Sequence, residues 1–146
     1  MISVQFPEPL FRIRHEGEKK FIFDAIRKQW LLLTEEEWVR QNFVLYLTEV
    51  LHYPPAFIAL EKLIHLNELK KRFDILVYNS DHQPWMMVEC KEPEVKLSEL
   101  VLQQLLRYNI SVPVTYLVIT NGHHTIGWRK ENEQLTLMKE MPAFGK

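Results

Sequence analysis

The run Met86-Met87-Val88-Glu89-Cys90-Lys91 ends an apolar stretch on a glutamate and a lysine with one residue between them. Side chains alternate faces along a strand, so Glu89 and Lys91 share a face about 7 Å apart while Cys90 takes the other. Upstream, Asp74 interrupts Phe73 and Ile75 inside a second apolar run, where an unpartnered charge is costly. If the two runs pair antiparallel, the start of one meets the end of the other and Asp74 comes beside Glu89 and Lys91. Two carboxylates brought that close repel, and a cation between them keeps both ionised. Oxygen donors suit Mg²⁺ or Mn²⁺, with the Cys90 main-chain carbonyl as a third oxygen. Magnesium held by one or two carboxylates keeps several waters and recruits substrate phosphate, which points to phosphodiester hydrolysis. Lys91 would then orient or deprotonate the attacking water, or stabilise charge on the phosphoryl oxygens. A strand-end salt bridge among the same three residues is the plainer account of the spacing.

These residues need a sheet to hold them. Residues 10–33 alternate loosely around Gly17, which predicts a β-hairpin. From Thr34 to about Leu51 the period changes: Val39, Phe43, Leu47 and Val50 form one helical stripe. Thr34 and Glu37 have the spacing of a capping box, and Pro54-Pro55 stops the helix. Three strand-like runs follow, Phe57 to His65, Arg72 to Tyr78 and Trp85 to Lys91, separated by turns at Asn67-Glu68 and at 79–82. Leu97 to Tyr108 returns to helical period, and Val114 to Thr120 reads as a central strand buried on both faces. Asn121-Gly122 turns the chain into a strand from Thr125 to Arg129, with a short last one over Leu135 to Met138. Strands flanked by two helices imply an α/β sandwich.

At 146 residues and 47% hydrophobic, the chain has the size of one domain with a sizeable core, and it shows no linker or internal repeat. The expected division is an N-terminal hairpin extension over 1–33 and a core over 34–146. One cysteine excludes an intramolecular disulfide and Cys-based zinc clusters, which suits a cytoplasmic location. The N-terminus lacks the pattern of a secretory signal, and no run is apolar enough to span a bilayer. With a net charge of −1, nucleic acid must be held by local patches. Lys70-Lys71-Arg72 beside Asp74, Arg107 and Arg129-Lys130 are candidates for the phosphate backbone, though such clusters are more often solvated turns. His123-His124 lack a third ligand at zinc-site spacing. Gly122 and Gly127 are followed by Trp128-Arg129 where a P-loop needs Lys and Ser/Thr, so the chain holds no ATPase motor.

Asp74 and, after fourteen intervening residues, Glu89-Cys90-Lys91 resemble the D…(D/E)-X-K signature of the PD-(D/E)XK nuclease superfamily. The resemblance is closer to the N-terminal nuclease domain of type I restriction enzyme R subunits, in a small stand-alone form. It extends over Leu33 to Gln41, Tyr53-Pro54, Lys71 to Tyr78, Gln104 to Asn109 and Thr120-Asn121-Gly122; Phe73 stands where the signature has proline. The resemblance implies a restriction-endonuclease-like α/β/α sandwich with a mixed central sheet, preceded here by the β-hairpin. It also implies a Mg²⁺-dependent endonuclease acting on DNA, with Asp74 and Glu89 at the metal and Lys91 at the water. Gln104 and Tyr108 match a Gln-X-X-X-Tyr motif that approaches the site in related nucleases; a core role for Tyr108 is the alternative. A first-helix glutamate near the metal is also implied. Glu36 is the candidate by periodicity, with Glu61 behind it and a solvated first turn as the alternative. A homodimer, or restriction-system partners, would complete such an enzyme. The rival reading is a noncatalytic nucleic-acid-binding or assembly module that keeps the fold.

Overall fold

The computed structural model describes residues 1–66, 69–109, 113–132 and 134–145; the turn expected at Asn67-Glu68 lies outside the described residues. The chain opens with a three-stranded antiparallel sheet, β1 (Ile13–Glu16), β2 (Lys19–Asp24) and β3 (Gln29–Leu32). The hairpin turns at Gly17, whose φ of +63° suits a residue without a Cβ. The expected hairpin thus gains a third strand, because the turn after Asp24 sends Trp30 back beside Phe23.

Helix α1 (Glu35–Glu49) starts where the sequence sets it: the Thr34 hydroxyl accepts from the Glu37 N–H at 3.0 Å. Only that half of the capping box forms, since the Glu37 carboxylate is taken by arginines. Val39, Phe43 and Leu47 are buried, but Val50 is 45% exposed. It lies past the last helical residue as the C-cap, where the stripe no longer faces the sheet. The chain leaves the helix before the prolines, turning at His52 with φ +63°. A single 3-10 turn (Pro55–Phe57) then leads into the main sheet.

That sheet has six strands in sequence order: β4 (Ile58–Leu66), β5 (Leu69–Tyr78), β6 (Pro84–Cys90), β7 (Tyr116–Thr120), β8 (Thr125–Glu131) and β9 (Gln134–Leu137). All neighbours run antiparallel except β6 and β7. Parallel neighbours need a crossover, and α2 (Glu99–Asn109) supplies it. Every residue of β7 is buried, as an unbroken apolar run in the middle of a covered sheet should be. Phe43 and Leu47 of α1 pack on Ile75, Val77, Met86 and Val88, while Leu106 of α2 packs with Phe73, Leu76, Met87 and Leu117. The two helices therefore cover opposite faces, and the fold is an α/β sandwich around a mixed sheet. Among the described residues, no helix is long and apolar enough to cross a membrane.

Candidate functional site

A slip in β5 aims Asp74. Phe73 and Leu76 pack on the α2 side and Ile75 and Val77 on the α1 side, so one step of the period-2 alternation is lost between Phe73 and Ile75. The β4–β5 ladder pairs Leu60 with Ile75 and Lys62 with Phe73 but skips Glu61 and Asp74. Glu61 has φ +48°, a strained conformation for a side chain of its kind, costing roughly 1–3 kcal/mol. Irregular strand steps of this sort re-aim side chains, and here Asp74 turns toward α1. Its Oδ1 accepts from Arg40 Nη2 at 3.3 Å and its Oδ2 accepts from the Cys90 N–H at 2.7 Å.

Glu89 sits one step beyond Val88, which pairs with Ile75, and this antiparallel register brings it to Asp74. Burial, then the Asp74 charge and a hydrogen bond with Asp74, push its pKa up to about 8, against the pull of Lys91. The ionised form of Glu89 is therefore disfavoured beside Asp74. Lys91 follows directly after β6, with its N–H donating to Thr120 O at 2.8 Å. Glu36, half-exposed on the first turn of α1, shares this field: burial and Asp74 raise its pKa, while Arg40 and Lys91 lower it. The antiparallel pairing thus joins Asp74, Glu89 and Lys91 from two strands, and α1 adds Glu36.

Arg40, which is not among the residues expected at the site, links Asp74 to Glu36. Although only 2% exposed, it donates from Nη1 to Glu37 Oε1 at 2.7 Å, and its Nη2 meets Glu36 at 3.2 Å and Glu61 and Asp74 at 3.3 Å. Burial works against its charge, yet Glu37 and Asp74 push its pKa up, so it stays a cation. Its Nε has no hydrogen-bond partner among the described residues. Arg27, from the turn between β2 and β3, braces the same acids: it pairs with Asp24, with Glu37 at 3.1 Å and with Glu61 at 3.4 Å. The i,i+3 and i,i+4 spacing of Glu37 and Glu36 to Arg40 was a readable signal on one helix face. No local pattern pointed to Arg27, whose partners come from other elements.

The remaining sequence candidates stand apart. Gln104 is exposed on α2, and no described hydrogen bond joins it to the cluster. Arg72 is exposed on β5 and Arg107 on α2. The side chains of Lys70, Lys71 and Tyr108 lie outside those described. Cys90 is fully buried on the α1 side with Val88, away from Glu89. Burial, then Asp74, raises its thiol pKa well above the ordinary value, so it is no nucleophile.

Among the described residues, no three His, Cys, Asp or Glu side chains form a ready-made metal cage. Asp74 and Glu89 nevertheless fit a hard divalent ion, which needs only one or two carboxylates beside its waters. Burial, and after it the Asp74 charge, disfavour the ionised form of Glu89, and a bound cation would favour it.

Residues 35–142 match the type I restriction enzyme R protein N terminus (HSDR_N). The chain belongs to that family. Membership ties it to restriction enzymes and to a nuclease-like or DNA-related role. The match runs from the first residue of α1 past the end of β9 and takes in the acidic cluster with Arg40 and Lys91. The three-stranded sheet, with Asp24 and Arg27, lies outside it. No curated protein matches the chain.

Proposed function

We infer that the protein is a metal-dependent nuclease of the PD-(D/E)XK type that hydrolyses phosphodiester bonds of DNA. The observation that carries this reading is the convergence of Asp74 and Glu89 across β5 and β6, where burial first and the Asp74 charge second raise the Glu89 pKa to about 8. Asp74, Glu89 and the Cys90 carbonyl would hold Mg²⁺ or Mn²⁺, which when bound polarises a phosphoryl oxygen and makes water a better nucleophile. The Cys90 N–H and Arg40 fix the Asp74 carboxylate in one orientation, so it need not reorganise on loading. The Lys91 ammonium, beside Glu89 and Glu36, serves the attacking water or the charge growing on the phosphoryl oxygens. Glu36, partly exposed and paired with Arg40, would accept a proton or hold a second water.

One observation favours the rival assembly module: both Asp74 oxygens already have partners within the protein. The two readings part on activity. Asp74→Ala and Lys91→Ala should each abolish Mg²⁺- or Mn²⁺-dependent cleavage of DNA while the fold, read by circular dichroism, persists. Cleavage surviving both substitutions refutes the assignment. A folded wild type that neither binds Mn²⁺ at millimolar concentration nor cuts DNA supports the module.

A further inference from the structure

We propose that the outer face of the β1–β2–β3 sheet binds an unpaired strand of the nucleic acid on which the acidic site acts. This rests on reading that site as one that acts on nucleic acid, and it concerns residues outside the family match. The inner face of the sheet is committed to the core: Ile22 and Asp24 are fully buried. The other face carries a layer of aromatic rings capped by arginines. Arg12 lies 4.8 Å from the centre of the Phe23 ring and 5.4 Å from that of Trp30. Arg14 lies 4.6 Å from Trp30 and 5.9 Å from Phe21. The rings sit side by side because Phe23 pairs with Trp30 across the strands, with Phe21 two residues along.

A guanidinium stacked on a ring keeps its second face and its N–H edge toward solvent. That is the equipment for a single strand: a base stacks on the planar cation or a ring, and a phosphate takes the N–H edge. The charge is right for it. Residues 12–30 hold six Lys/Arg against three Asp/Glu, a surplus of three in a chain whose net charge is −1. Arg14 shares its charge with Glu16 at 3.3 Å, whereas Arg12 makes no ion pair among the described residues.

The test is anisotropy of a fluorescein-labelled 15-mer oligo(dT) with the full chain in EDTA, titrated over a range of salt. The wild type should bind, and R12A/R14A should weaken binding about tenfold or more. The slope of log affinity against log salt should shrink by about 1.4 for two lost single-strand phosphate contacts. R12K/R14K should keep the slope yet bind less tightly, since charge persists and planar stacking does not. Unchanged affinity and slope in folded R12A/R14A overturn the proposal, and so does tighter binding of a duplex of equal length. A change in oligomeric state on R12A/R14A, with oligo(dT) binding intact, also overturns it by making the face a contact between copies. Should R12A/R14A weaken binding while the wild type cleaves nothing with Mn²⁺, the binding face stands and the nuclease reading falls. Cleavage with binding indifferent to both arginines does the reverse.

Discussion

Replacing Arg40 by methionine keeps the length and apolar stem of the side chain and removes its charge from among four carboxylates. The four contacts differ in worth. Glu36 and Glu61 are about 40% exposed on their side chains and meet Nη2 at 3.2 and 3.3 Å, so each contributes under about 1 kcal/mol. Glu37 is 7% exposed and receives Nη1 at 2.7 Å, a short charge-assisted bond out of solvent. Asp74, at 3.3 Å, would keep the Cys90 N–H and its hydrogen bond with Glu89. Arg27 still serves Glu37 and Glu61, but four acids are left short of a buried cation, and breaking such a set costs about 3–5 kcal/mol, a large share of the 5–15 kcal/mol by which a domain is stable. Urea denaturation at pH 7 in EDTA should show the midpoint falling by that free energy divided by the slope, with the slope itself unchanged. Adding Glu37→Gln should recover part of the loss, because it removes one of the buried negative charges that Arg40 offset. Millimolar Mg²⁺ should recover more of it in Arg40→Met than it adds to the wild type, since the vacated charge makes the acids a stronger cation site. A loss under about 1 kcal/mol with the slope unchanged would refute the view that Arg40 is the internal counter-cation of this cluster.

Further expectations concern single contacts. The folded pKa of Glu89 lies near 8, above its ordinary value of 4.5, so the folded state keeps a proton that the unfolded chain gives up as pH rises. Stability without metal should therefore fall between pH 4.5 and 8. Glu89→Gln should flatten that fall and melt above the wild type at pH 8, as thermal melts across pH 5–9 in EDTA would read. Tyr53, whose hydroxyl donates to Pro142 O at 2.7 Å and accepts from Trp85 Nε1 at 3.2 Å, has its pKa pushed by burial up to about 12. Wild-type stability should decline from about pH 10 to 12; Tyr53→Phe should lose about 1–2 kcal/mol at pH 7 but lack that alkaline decline in urea melts. Thr34→Ala removes the N-cap acceptor of α1 and should cost about 0.5–2 kcal/mol by urea denaturation.

The sequence determined what each segment could be, and for much of the chain that sufficed. Thr34 three residues before Glu37 fixed the start of α1, and Val39, Phe43 and Leu47 fixed its buried face, because capping and 3.6-residue periodicity are local properties. The unbroken apolar run ending at Thr120 announced a strand covered on both sides, and the charges closing β6 with Asp74 inside β5 announced a shared strand end. Val50 misled because a stripe does not reveal where its helix stops facing the sheet. Tertiary structure alone decided the rest. The slip at Asp74 opposite the strained Glu61 depends on two strands meeting, and no reading of either strand shows it. The third strand of the N-terminal sheet formed because Asp24 and Arg27 close a turn whose arginine is fixed by Glu37 and Glu61, on α1 and β4. By its place in the sequence Arg40 is one residue of helix α1. It became the buried centre of the acids because four carboxylates from two strands and a helix converge on it, and an ion pair across elements exists only once they are packed.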